Sequence, residues 1–171
     1  TLVAAAGLST ARIPLQDSPI ELRYFSLAKW TDFAPKMVQT LMVESFENSK
    51  KIVGVGREQI GLRSDFILKT ELREFQAEYK DRLPTETSTL SSASTPPTIR
   101  VRINAKLVKM PRREIIASET FERKVPATRN SMEAIIGAFD ESLGKVLKAI
   151  VIWTLNNGDA NKPERLRTPK S

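Results

Sequence analysis

The chain contains no cysteine and no histidine. Without thiols there is no disulfide and no thiolate nucleophile, and without imidazole the commonest general base and zinc ligand are missing as well. Aromatic residues make up 6% of the chain, too few in the basic stretches to offer stacking platforms for unpaired bases. No apolar run approaches the ~20 residues that a spanning helix requires. The longest, Leu2 to Leu8, is short and rich in Ala and Gly. What is present is ordinary for a globular protein: 40% hydrophobic and 27% charged residues. The 171 residues fit one hydrophobic core. A formal charge of +7 favours anionic partners without choosing among phospholipid, nucleic acid and acidic protein. The first residue is Thr1 rather than Met, so an upstream segment, with any signal peptide, is expected to have been removed.

Two apolar stretches near the start, Leu2 to Ala6 and Ile20 to Phe25, read as strands separated by turn-formers that include Gly7, Pro14, Asp17 and Pro19. A helix follows. Thr31 or Asp32 can cap it, Pro35 is tolerable in its first turn, and Ala34, Met37, Val38, Leu41, Met42 and Ser45 share one face. Its expected end is Asn48 or Ser49. Asp65 to Tyr79 then gives a long strand pattern in which Phe66, Leu68, Thr70 and Leu72 share one parity, while Phe75, Ala77 and Tyr79 share the other. One extra residue near Arg73 or Glu74 keeps both sets inward, which predicts a β-bulge. Residues 81–97 are rich in Ser, Thr and Pro and predict a mobile loop.

Ile99, Val101, Ile103, Ala105 and Leu107 alternate with Arg100, Arg102, Asn104 and Lys106, the signature of a strand with one wet face. A turn around Met110-Pro111-Arg112 leads into Ile115, Ala117 and Phe121. Keeping the apolar faces together places Leu107 opposite Ile115 and Arg100 opposite Glu122. The last helix is expected to start at Asn130 with Glu133 completing a capping box, and to stop at Gly158. Met132, Ile135, Ile136, Phe139, Leu143, Val146, Leu147 and Ile150 form its apolar face, and Glu141 and Lys145 a surface pair. Two long helices packed on one face of a mainly antiparallel sheet make an α+β domain over residues 1–157, followed by a basic tail over 158–171.

Gly54-Val55-Gly56 followed by Gly61 lacks the lysine of a phosphate-binding loop and reads as a turn. Glu71, Glu74 and Glu78 have no second defined group beside them and read as ordinary strand charges rather than an acid-base pair. The basic set Arg100, Arg102, Lys106, Lys109, Arg112 and Arg113 reads first as a solvated sheet face and second as a contact for acidic headgroups or nucleic acid. Tyr24, Phe25 and Trp30 read as core residues or as an interface cluster. The last helix packs on the sheet or, alternatively, meets a partner. A basic α+β nucleic-acid-binding module using Arg100, Arg102 and Lys106 is the competing function.

Taken in order, Gly7-Leu8-Ser9-Thr10-Ala11-Arg12-Ile13, Leu22-Arg23-Tyr24-Phe25, Trp30, Pro35 and Met37 resemble the opening of the ABC-type transport auxiliary lipoprotein family, the PqiC-like family. The resemblance continues through Ser64-Asp65-Phe66-Ile67-Leu68, Leu72-Arg73-Glu74-Phe75, the strand Ile99 to Leu107, Phe121, and a closing helix with Phe139 that ends near Trp153. Leu15 stands where the family often has an aromatic residue, and the 81–97 loop is longer than usual. The resemblance implies a non-enzymatic accessory subunit with no catalytic site, cofactor or metal. It implies a periplasmic location, held at the outer membrane by a lipid on a Cys upstream of Thr1. The implied partners are an MCE-domain protein and the ABC transporter components, with a homo-oligomer left open and no nucleic acid. Tyr24, Phe25, Trp30, Arg100, Arg102 and Lys106 are the candidate partner-binding residues.

Overall fold

Strand β1 (Leu2–Ala4) and strand β2 (Arg12–Gln16) precede strand β3 (Leu22–Lys29) and helix α1 (Ala34–Asn48) in a computed structural model that describes residues 2–4, 12–16, 22–29, 34–52, 64–79 and 95–162. The long strands β4 (Phe66–Glu78), β5 (Thr98–Lys109) and β6 (Glu114–Pro126) come next, and helix α2 (Met132–Ala160) closes the described chain. The architecture is α+β. Trp30, the glycines at 54, 56 and 61, and nearly all of the 81–97 loop lie outside the described residues.

Alternation dictates β5. Ile99, Val101, Ile103, Ala105 and Leu107 are all buried, and Arg100 and Arg102 between them are half-exposed. In β4 the expected bulge is present, with the register against β5 shifting between Leu72 and Glu74. Leu72 therefore opposes Ile103 while Phe75 opposes Val101, and both parities reach the core.

The sheet order is β3-β2-β4-β5-β6, with β1 also paired to β4. The β2–β3, β4–β5 and β5–β6 pairs are antiparallel, whereas β1 and β2 join β4 in parallel, β1 beside Thr70 to Leu72 and β2 beside Ala77 and Glu78. Strand β2 falls between the two apolar stretches, where turn-formers including Pro14 predict no strand. A strand tolerates proline where the missing N–H is not needed, and the β2–β3 register is irregular between Arg12 and Pro14.

The β5–β6 register differs by two residues from the sequence expectation. Leu107 opposes Ala117, Arg102 opposes Glu122 and Arg100 opposes Lys124. The four-residue connection between Lys109 and Glu114 and an extra residue in β6 beside Leu107/Val108 absorb the difference. Arg113, in that connection, has φ 57, which closes the turn in the left-handed region. The shift is even, so side chains keep their faces.

Both helices share one core with the inner sheet face. Helix α2 lies on β5, β6 and β4, and α1 packs against α2 and β1. Ala34, Val38, Met42 and Phe46 of α1 join Ile135, Phe139, Leu143, Val146, Leu147 and Ile150 of α2 in the core. The Phe75 and Phe139 rings meet at 4.8 Å between centroids, and Phe121 meets Trp153 edge-on at 5.7 Å. Helix α1 ends with Ser49 and Lys50 amides donating to Phe46 O and Glu47 O, and Lys50 at φ 53 turns the chain away.

The ends of α2 depart from expectation. Ser131, not Asn130, is the cap, its hydroxyl accepting from the Ala134 amide at 3.3 Å. Asn130 Oδ1 instead accepts from the Tyr79 hydroxyl at 3.0 Å, a tertiary contact that takes the better local capping group elsewhere. Gly158 lies inside the helix, which runs to Ala160 with Asn161 as C-cap. Of the expected apolar face only Ile136 is exposed. No helix among the described residues is long and apolar enough to cross a membrane.

Candidate functional site

The face of the sheet opposite the helices is organised in rows across β4, β5 and β6. From one end they read Gln76–Arg100–Lys124, Glu74–Arg102–Glu122, Glu71–Asn104–Thr120, Lys69–Lys106–Ser118 and Ile67–Val108–Ile115. The bulge at Arg73 creates this arrangement, because it turns Glu74, Gln76 and Glu78 outward after Leu72 has pointed inward.

At the Arg100 end the charges are compensated. Arg100 Nε and Nη2 donate to the two carboxylate oxygens of Glu122 at 3.1 and 3.3 Å, and Nη1 donates to Glu78 Oε1 at 3.3 Å. Glu74 Oε2 lies 2.6 Å from Arg100 Nε, close but without hydrogen-bond alignment, and the other Glu74 oxygen accepts from Arg102 Nη1 at 3.3 Å. Arg102 Nε is 3.7 Å from Glu122 Oε2. The Arg100 and Glu74 side chains are each 23% exposed. Burial disfavours the Arg100 charge, but the hydrogen bonds it donates to Glu122 and Glu78 and the fields of Glu74 and Glu122 outweigh this and raise its pKa above the ordinary guanidinium value. Asn104 continues the polar rows, its amide donating to Glu119 O at 3.1 Å and Thr120 Oγ1 at 3.0 Å.

The candidate residues read from sequence thus fall into separate places. Arg100 and Arg102 are held by Glu74, Glu78 and Glu122. Lys106 shares their face but is exposed and makes no ion pair among the described residues. Tyr24 and Phe25 sit in β3, Tyr24 opposite Pro14, three strand positions from β5 and so roughly 14 Å away at strand spacing. The structure does not join them to the basic residues. Glu74 and Glu78, read as ordinary charges, prove to be the arginines' partners. Their spacing from Arg100 and Arg102 carries no local signal, because the contact exists only once β4 and β5 are in register. A nucleic-acid surface built on Arg100 and Arg102 is disfavoured, since their guanidiniums already bind carboxylates.

A concavity lies between the helices, a cleft of about 220 Å³ lined by Leu41, Glu44, Ser45, Asn48, Asp140 and Leu143 among others. It is open and carries no convergent catalytic set. Among the described residues no cluster of three or more acidic side chains is arranged to hold a metal ion.

The sequence matches the family described as ABC-type transport auxiliary lipoprotein component over residues 2–151. The crystal structure of protein XCC0632 from Xanthomonas campestris, assigned to the DUF330 family, superimposes with a TM-score of 0.80 at 29% identity, covering 93% of this chain and 82% of that one. A second crystal structure, of an uncharacterized protein, shares the fold at a TM-score of 0.69 and 10% identity, covering 89% and 86% of the two chains. The Bradyrhizobium diazoefficiens protein bll6063 is 25% identical over 155 residues, which is 89% of this chain but 37% of that protein, so the chain spans little more than a third of this curated relative. On the match across residues 2–151, carried by the strands and helices described above, the chain belongs to the ABC-type transport auxiliary lipoprotein family.

Proposed function

We propose that this domain is a non-enzymatic periplasmic subunit of an ABC-type lipid transport system with an MCE-domain component, docking or bridging the transporter at the outer membrane. The observation that carries the proposal is the family match over residues 2–151, nearly the whole described fold. An auxiliary lipoprotein has a binding role, and the outer sheet face is suited to one: its arginines are fixed by carboxylates in a rigid, patterned surface rather than converging on a pocket. The Arg100 network spans β4, β5 and β6, so a partner would meet a face whose charges are already paired. A lipid on an upstream Cys would hold the domain at the membrane while it engages the transporter.

The test is a pull-down of the full-length tagged protein from detergent-solubilised envelopes, with mass spectrometry of what co-purifies. Recovery of an MCE-domain protein together with permease or ATPase supports the proposal. Recovery of nucleic acid or ribosomal proteins that survive high salt, without transporter components, overturns it.

A further inference from the structure

The basic charge of the outer sheet face is polarised. At the end of the sheet that carries the β5–β6 turn, Lys69 and Lys106 lie on this face, Arg112 and Arg113 lie in the turn, and Lys109 stands at the end of β5 with the opposite parity. Residues 65–69 and 106–115 set these five basic side chains against the acids Asp65 and Glu114. None of the five makes an ion pair among the described residues, in contrast to Arg100 and Arg102.

Lys69 stands directly opposite Lys106 across the β4–β5 pair. Like charges in that position repel and weaken the pairing. Glu71, the carboxylate in the adjacent row, is engaged by Arg73 at 3.2 Å. No ion pair among the described residues offsets this repulsion, and an anion placed over the pair would relieve it.

Beside the two lysines the next row is apolar. Val108 is buried between Ile67 and Ile115, and Ile115 is 58% exposed at the edge of the turn. The turn itself is anchored by the Met110 amide donating to Asp65 O at 2.9 Å, and it presents Pro111, Arg112 and Arg113 to solvent. Exposed apolar side chains ringed by cations fit the boundary of a bilayer, where the cations meet phosphates and the aliphatic groups reach the acyl region. An acidic protein surface would engage the cations but leave Ile115 without an apolar partner. A nucleic acid would find little to stack on, Phe66 being the single aromatic in these two segments.

We propose that the β5–β6 turn with Lys69, Lys106, Arg112, Arg113 and Ile115 is a contact site for an anionic phospholipid surface. This contact is additional to any lipid anchor and independent of the transport role, so either reading can fail while the other stands.

The test is flotation of the protein, expressed as the 171 residues of the sequence without acylation, with vesicles of phosphatidylcholine alone and of phosphatidylcholine with phosphatidylglycerol. The wild-type chain is expected to float with the anionic vesicles only, and to be released by salt. Arg112→Ala/Arg113→Ala is expected to weaken partitioning about thirtyfold, from roughly fivefold per basic residue near an anionic surface. Ile115→Ser weakens it without altering its salt dependence. Lys145→Ala/Lys148→Ala, which removes the same charge from the exposed side of α2, leaves it within twofold, roughly the residual nonspecific steering. Circular dichroism melting of each variant confirms that the fold is retained. No flotation, equal loss in the α2 variant, or binding to polyglutamate without binding to vesicles overturns the proposal.

Discussion

At the scale of single residues, Arg100 is the side chain on which the outer face depends. It bonds carboxylates from β4 and β6 at once, so its removal leaves Glu74, Glu78 and Glu122 crowded without their main counter-charge. Arg100→Ala is expected to destabilise the protein by about 2 kcal/mol, within the range for hydrogen bonds to charged groups. Arg100→Lys recovers only part of this, because an ammonium cannot reproduce the two-pronged geometry toward Glu122. Urea denaturation with an unchanged m-value would measure both. The sign of the pH dependence follows from the raised pKa of Arg100. Folding favours its protonated form, so the contribution is complete below the ordinary guanidinium value and is lost only as pH rises through the raised one. The difference between wild type and Arg100→Ala is therefore expected to stay constant from neutral to mildly alkaline pH. A titration step in that interval would show that another group governs the network.

At the scale of elements, α2 is the longest and most instructive piece. Its 29 residues include Gly137 and Gly144, where an added methyl group would meet no other atom within 4 Å. Both sit inside regular helix and weaken it through backbone entropy, so Gly137→Ala and Gly144→Ala are each expected to raise stability by about 0.5–1 kcal/mol. Thermal melts of the two single variants and the double variant check this, and the effects should add, since the positions are two turns apart. At the start of the helix, Ser131→Ala should cost about 1 kcal/mol by leaving the Ala134 amide without its acceptor. The same substitution at Ser118, exposed in β6, provides a comparison that disturbs no cap.

At the scale of the whole molecule, one core joins two helices to a sheet whose strands come from two stretches of the chain, residues 2–29 and 66–126, with α1 between them. Phe139 on α2 meets Phe75 on β4 and is 2% exposed, so it spans the two layers. Phe139→Ala is expected to cost about 3–5 kcal/mol, the usual range for an aromatic truncated in a close-packed core, and Phe139→Leu distinctly less. Chemical denaturation of both variants tests the ranking. An equal loss for the two would show that the ring contact with Phe75 contributes more than the volume it fills.

Much of this architecture is legible in the sequence because it rests on local periodicity. The alternation from Ile99 to Leu107 specifies a strand with one wet face, the parity change after Leu72 specifies the bulge, and three-four spacing specifies both helices. Each follows from where successive side chains point along a regular backbone, which neighbouring residues alone determine. What only the tertiary structure decided involves residues distant in sequence. The parallel docking of β1 and β2 along β4, the two-residue offset between β5 and β6, and the use of Asn130 by Tyr79 rather than by the helix all depend on which elements meet. The same holds for the outer face. The sequence presents a row of basic residues, but whether each is neutralised depends on the strand beside it: Glu74 and Glu78 arrive next to Arg100 and Arg102, whereas Lys69 arrives opposite Lys106. Charge is encoded in the residue; its compensation is decided by register.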